Sequence, residues 1–333
     1  MAESPGRASI AERLQPIEGD VQASAVHPLG DALVFVLAGE ELLRVAPDGA
    51  LTRIPVHAGG ILASAATPDG IVTGGDDGTV ALTDAAGLVA ILATDTKGRW
   101  IDHVAVSPAA AIGWSCGRSV TVRTTSGETK SLELPSSPGG LAFARKGFRV
   151  AASHYGGVSL WFPNAAAAPE RLEWKGSHLG VTFSQDGKYV VTAMQEPMLH
   201  GWRLADGKHM RMSGYSGKVR SMSWTADGKW LATAGSEQLI VWPFGGKDGP
   251  MGKQPRMLAP LPARVVTVAC HPAQDVAAVG YADGTVLLVR LEDGAEILAR
   301  HPDNSPISAL GWDAAGQRLA FSNENGSAAA LTL

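Results

Sequence analysis

Residues 71–84 read IVTGGDDGTVALTD, and the middle six, GGDDGT, hold three glycines and two carboxylates. Such a stretch can cradle a phosphate, ligate a metal or turn the chain. A phosphate loop needs Lys-Ser/Thr after its glycines, and none follows. A calcium loop needs acidic ligands at alternating positions, where Thr79 and Ala81 stand instead. Related stretches recur in the same local frame as GYADGT (280–285) and SNENGS (322–327). A feature that recurs with its frame does the frame's work, so Asp77-Gly78 reads as a hairpin turn.

Working outward, the whole chain repeats. Aligned on the end of an apolar strand, eight copies appear: SAVHP, SAATP, VAVSP, LAFAR, VTFSQ, MSWTA, VACHP and LGWDA. The aligned residues are His27, Thr67, Ser107, Ala144, Ser184, Thr225, His271 and Asp313, spaced by 40, 40, 37, 40, 41, 46 and 42 residues. Inside each copy, short apolar stretches of period two alternate with turn residues, as in VRSMSW, a DG turn, KWLATAG, a polar turn and QLIVWPF. No segment sustains a 3.6-residue period. Four strands in about 40 residues, repeated, predict an all-β propeller.

The residues resemble the WD40 repeat. HAGGI (57–61) matches its Gly-His opening, and IVTGGDDGTVALTD matches its second half, with Thr83-Asp84 in place of Trp-Asp. Trp161, Trp202 and Trp242 hold the tryptophan position in other copies. The resemblance covers nearly the whole chain and is degenerate at the signature dipeptides. It implies eight four-stranded blades, with seven as the alternative. It also implies a ring closed when Arg13–Ile17 supplies the outer strand of the last blade, because the sequence ends just after the eighth copy's third strand. His57 and Asp77 are then structural, the carboxylate bonding back toward the imidazole. Residues 1–10 read as an N-terminal tail and 11–333 as one propeller domain.

Composition bounds the function. Of 333 residues, 45% are apolar and 18% charged, as expected of a packed globular protein. The 40 glycines and 20 prolines suit many short elements joined by turns. A formal charge of -4 argues against bulk nucleic-acid binding. No apolar run reaches the length of a membrane helix, and the N-terminus lacks the apolar core of a secretory signal, so a cytoplasmic location is expected. The Ala- and Gly-rich composition is of bacterial type. Cys116 and Cys270 form neither a metal spacing nor a disulfide framework.

Two further motifs lose their chemistry in context. GWSCG (113–117) is formally G-x-S-x-G, but the strand SVTVRT follows it, not the helix a nucleophile elbow requires, and it reads as a hairpin turn. Asn325-Gly326-Ser327 fits a glycosylation sequon and reads as a turn. The nine histidines show no metal spacing; His27 and His271 occupy a position where a turn cap is expected, and His103, His154, His178, His200, His209 and His301 are scattered. No cofactor and no metal is expected.

A rigid repeat without local chemistry suggests a docking platform whose loops carry the specificity. The position before each inner strand is Asp20, Gly60, Trp100, Ser137, Ser177, Lys218, Arg264 or Pro306. Trp100, Lys218 and Arg264 carry side chains suited to anchoring or steering a partner, and neighbouring turns add Arg99, Arg118, His154, Tyr155 and Tyr281. Residues 171–264 hold 13 Lys/Arg against 7 Asp/Glu, a basic stretch on an otherwise acidic chain. An acidic protein or peptide partner is therefore expected, steered by groups such as Lys218, Lys229 and Arg264. The Gly/Pro/Lys-rich stretch 243–258, which absorbs the longest spacing, reads as a surface excursion.

The expected function is a non-enzymatic, monomeric scaffold for protein interaction, binding neither nucleic acid nor membrane. One alternative is a metal-dependent, lactonase-like hydrolase with its site in a central channel, yet only Asp20 is acidic among the eight counted positions. Another is an obligate subunit of a larger complex.

Overall fold

The computed structural model describes residues 8–333. Residues 1–7, most of the expected tail, lie outside the described residues. The chain is built from β-strands joined by turns, with one 3-10 turn at Ala11–Arg13. The opening question is settled by Gly70–Gly75 and Thr79–Asp84, which pair antiparallel around Asp76–Gly78. Gly78 has φ +78°, a conformation that only glycine adopts without strain.

The strands fall into seven hydrogen-bonded sheets: five of four strands, one of five and one of six. This corrects the expectation of eight separate four-stranded sheets and matches the alternative number. The cause lies in two long strands. In Glu170–Phe183, residues 170–173 pair with Val150–Trp161 while residues 178–183 pair with Tyr189–Met194. The outer strand of the fourth copy thus runs on, without a break, as the inner strand of the fifth, and eight sequence copies occupy seven sheets.

Two compact units divide the chain: residues 36–44 with 52–218, and residues 1–35 with 45–51 and 219–333. In the first, Ile61–Thr67, Ile101–Val106 and Gly140–Phe143 are the inner strands of successive sheets and pack side by side. In the second, Val265–Cys270 and Ile307–Trp312 do the same. Gln15–Ile17 pairs antiparallel with Ala328–Ala330 and is the fourth strand of the last sheet, as the sequence predicts, although residues 11–13 form the 3-10 turn. Ala8–Ser9 adds a fifth, parallel strand to the sheet of the seventh copy, so the expected tail is partly paired.

The core lies between consecutive sheets. Val72 and Val80 pack with Ile101, Trp114 and Cys116 of the next copy, and Ala278 and Leu288 with Ile307, Trp312 and Phe321. Because a sheet is covered on both faces, its second strand reads as continuously apolar or small, and Gly70–Gly75 and Tyr189–Met194 are buried throughout. The approach is close enough that a Cβ on Gly74 would stand 2.5 Å from Ile101 Cγ2. Trp161, Trp202 and Trp242 are all buried, as the repeat position predicts.

Candidate interaction surface

The frame around the opening stretch is held by one side-chain cluster. His57 Nδ1–H donates to Asp77 Oδ1 (3.1 Å), and the Thr73 hydroxyl meets Nε2 at 2.8 Å. Asp77 also accepts from the backbone N–H groups of Ala58 (3.0 Å) and Thr79 (2.9 Å) and from the Thr79 hydroxyl. Burial alone would raise the Asp77 carboxyl, but these donors outweigh it and hold the group down at about 2. Asp77 thus bonds back to His57, the contact that the resemblance implies.

The strands bring one end of the inner strands together as a surface. Ile61, Ile101 and His178 begin inner strands, and each is followed by a β-bulge before pairing resumes at Ala63, His103 and Gly180. The extra residues, Leu62, Asp102 and Leu179, are turned out of the ladder. Leu62 and Leu179 are 42% and 38% exposed. Trp100, one residue before its strand, is 59% exposed, and Tyr155, 70% exposed, pairs in register with Ser177, two residues before Leu179. Leu62, Trp100 and Leu179 therefore sit at the starts of inner strands within the unit of residues 36–44 and 52–218, and Tyr155, on the strand Val150–Trp161, pairs beside one of them. The sequence reading found the first two. It missed the leucines because a bulge leaves no mark in a period-two pattern.

The charged groups expected beside them are largely engaged. Arg99 grips Asp95 through Nε (3.2 Å) and Nη2 (2.7 Å) and holds that carboxyl well below the usual range. Arg118 lies 3.4 Å from Glu133. Lys218 and Arg264 are exposed, each in a different unit. Lys229 does not belong with them: it sits in a DG turn between the first and second strands and pairs with Asp227 at 2.9 Å.

Two expected surface residues are corrected. His154 is buried; Nδ1–H donates to the Tyr155 carbonyl and Nε2 accepts from the Ser159 hydroxyl, both at 2.9 Å. Tyr281 is fully buried, its hydroxyl donating to the Ala259 carbonyl. Tyr281 ends the second strand Val276–Tyr281 and His154 lies within the long strand Val150–Trp161, and at both positions the side chain turns into the core.

The GWSCG motif also shifts. Residues 113–116 lie within a strand and the turn falls at Gly117-Arg118, so Ser115 is a fully buried strand residue. Burial pushes the Cys116 thiol up to about 11 and the Cys270 thiol up to about 12, which leaves both protonated. Among the described residues, no three of His, Cys, Asp and Glu converge as a metal site. No described helix is long and apolar enough to cross a membrane. The excursion expected at 243–258 is shorter: Pro243 ends a strand, Arg256–Leu258 pairs with Leu239–Val241, and residues 244–255 between them are turned by hydrogen bonds from Met251 to Asp248 and from Lys253 to Pro250.

A family model described as WD domain, G-beta repeat, matches residues 208–242, which run from the outer strand of the fifth copy to Trp242. This match and the seven-sheet arrangement support a WD40-repeat β-propeller. No curated protein matches the chain. Among solved structures, the chain is similar to the computationally designed Ika8 protein, with a TM-score of 0.77 and 17% identity over 96% of this chain and 98% of that one. With 1758 solved chains matching, likeness of fold selects no function for the chain, and its surface has to carry that reading.

Proposed function

We propose that the protein is a non-catalytic scaffold that takes a protein or peptide partner on the loops preceding its inner strands. The observation that carries this reading is the grouping of Trp100, Tyr155, Leu62 and Leu179, four exposed apolar side chains at one end of the inner strands. Large apolar groups left in water at neighbouring positions mark interaction sites, and Trp and Tyr are the commonest anchors. Arg99 and Arg118 are balanced by Asp95 and Glu133 and serve as a polar rim, while Lys218 and Arg264 steer an acidic partner. Cytoplasmic residence and a monomeric state complete the proposal.

The test is affinity capture of the tagged full chain from its own cells, followed by a direct affinity measurement on the captured protein. Trp100→Ala with Tyr155→Ala is expected to weaken the purified pair at least tenfold, since hot-spot truncations cost about 2 kcal/mol or more. A purified partner that binds both chains equally well removes the surface from the proposal.

A further inference from the structure

A cleft of about 460 Å³ lies within the unit of described residues 8–35, 45–51 and 219–333. Its volume is within the span of small-molecule sites, about 300–1,000 Å³. The N-terminal segment builds one wall. Ala8–Ser9 pairs parallel with Ile297–Leu298, Ile10 N–H donates to the Leu298 carbonyl at 2.9 Å, and the 3-10 turn then presents Arg13. Ile10, Val276, Leu288 and Ile297 give the cleft its apolar lining.

The polar groups around it are unequal. His271 is saturated: Nε2–H donates to the Gly316 carbonyl at 2.9 Å and Nδ1 accepts from the Ala273 and Gln274 N–H groups at 3.0 Å. Arg290 is bound to Asp293 through Nε and Nη2, which cancels its charge locally. Arg13 is exposed and makes no ion pair and no side-chain hydrogen bond among the described residues. Among the described residues, the cleft thus joins an aliphatic surface to one guanidinium without an ion pair, Gln274 and Leu333 completing the lining. A guanidinium's planar fork of N–H donors fits a carboxylate through two parallel hydrogen bonds.

We propose that this cleft binds an aliphatic carboxylate, the chain lying over Val276, Leu288 and Ile297 and the carboxylate meeting Arg13. Titration calorimetry of the full chain with decanoate, and separately with decanol, tests it. Decanoate is expected to bind once per chain and at least tenfold more tightly than decanol. Arg13→Gln is expected to remove about tenfold of the decanoate affinity and leave decanol unchanged. Ile297→Glu, which sets a carboxylate on the apolar lining, is expected to abolish both. Should that variant melt early, Ala295→Trp, which fills the cleft from its rim, replaces it with the same expectation. Absence of decanoate binding, equal binding of decanol, or indifference to Arg13→Gln each overturns the proposal.

Discussion

Thr67, Ser107, Ser184, Thr225, His271 and Asp313 differ in chemistry yet do one job. Each ends an inner strand and accepts backbone N–H groups of the turn that follows, from Gly70, Ala111, Tyr189, Trp230, Ala273 and Gln317 respectively. That equivalence explains why a histidine can stand where hydroxyls and a carboxylate stand elsewhere. The His57–Asp77 pair is more demanding, because both partners lose their bonds together. His57→Ala is expected to cost about 1–3 kcal/mol in urea unfolding, since Thr73 and Asp77 are left without their partner. Asp77 sits near 3.9 in an unfolded chain and about 2 in the fold, so the unfolded state binds the extra proton. The pair's pH-dependent contribution is therefore complete above about pH 4 and fades as pH falls toward 2. Asp77→Asn is expected to flatten the wild-type loss over that window. His200 works in the opposite direction. It is fully buried, stacks on Trp174 with centroids 4.2 Å apart, and among the described residues has no hydrogen-bond partner on either nitrogen. Burial first, then the positive potential of His209, His178 and Arg211, pushes it down to about 3. An unfolded histidine titrates near 6.5, so protons favour unfolding between about pH 6.5 and 3. His200→Phe keeps the stack and removes both bare nitrogens. It is expected to raise stability by about 1 kcal/mol at pH 7, and by more at pH 5, in thermal melts.

At the scale of the element, close approach of sheets is what the small residues of the second strands permit. Gly74→Ala is expected to destabilise by about 1–3 kcal/mol, because the new methyl meets Ile101. In a double-mutant cycle with Ile101→Ala, which removes the Cγ2 methyl that the new side chain meets, the double variant is expected to lose less than the sum of the two single losses; strict additivity would mean that the contact does not limit packing. Strand positions and turns were legible from the period-two pattern and the Asp-Gly pairs, as the antiparallel register across Gly78 shows. Strand continuity was not. Nothing in ERLEWKGSHLGVTF marks where one copy's outer strand passes into the next copy's inner strand, so the sequence shows eight copies while the hydrogen bonds make seven sheets. Bulges are equally silent: Leu62 and Leu179 read as ordinary apolar strand residues until pairing skips them. The burial of His154 and Tyr281 was hidden for a related reason, since position in a turn-rich stretch does not say which way a strand residue faces.

At the scale of the whole molecule, residues far apart in sequence share surfaces only because the repeat returns them to the same end of a strand. Two kinds of group would act in partner binding, and they predict different kinetics. Trp100 and Tyr155 are large, exposed and uncharged, so their removal acts on the lifetime of a complex. Lys218 and Arg264 would act before contact, through a field that salt screens over about 8–10 Å at ordinary ionic strength. In surface plasmon resonance with the purified partner, Trp100→Ala with Tyr155→Ala is expected to raise the dissociation rate at least tenfold with little change in association. Lys218→Gln with Arg264→Gln is expected to slow association severalfold at low salt, and that difference is expected to vanish by about 0.5 M salt. Lys229→Gln serves as the control, because its charge is already spent on Asp227 at 2.9 Å. If Lys229→Gln slowed association as much as the pair, net charge rather than position would govern the encounter. If instead neither charge variant changed the rate while the aromatic variant did, the partner would be held by apolar contact alone and need not be acidic.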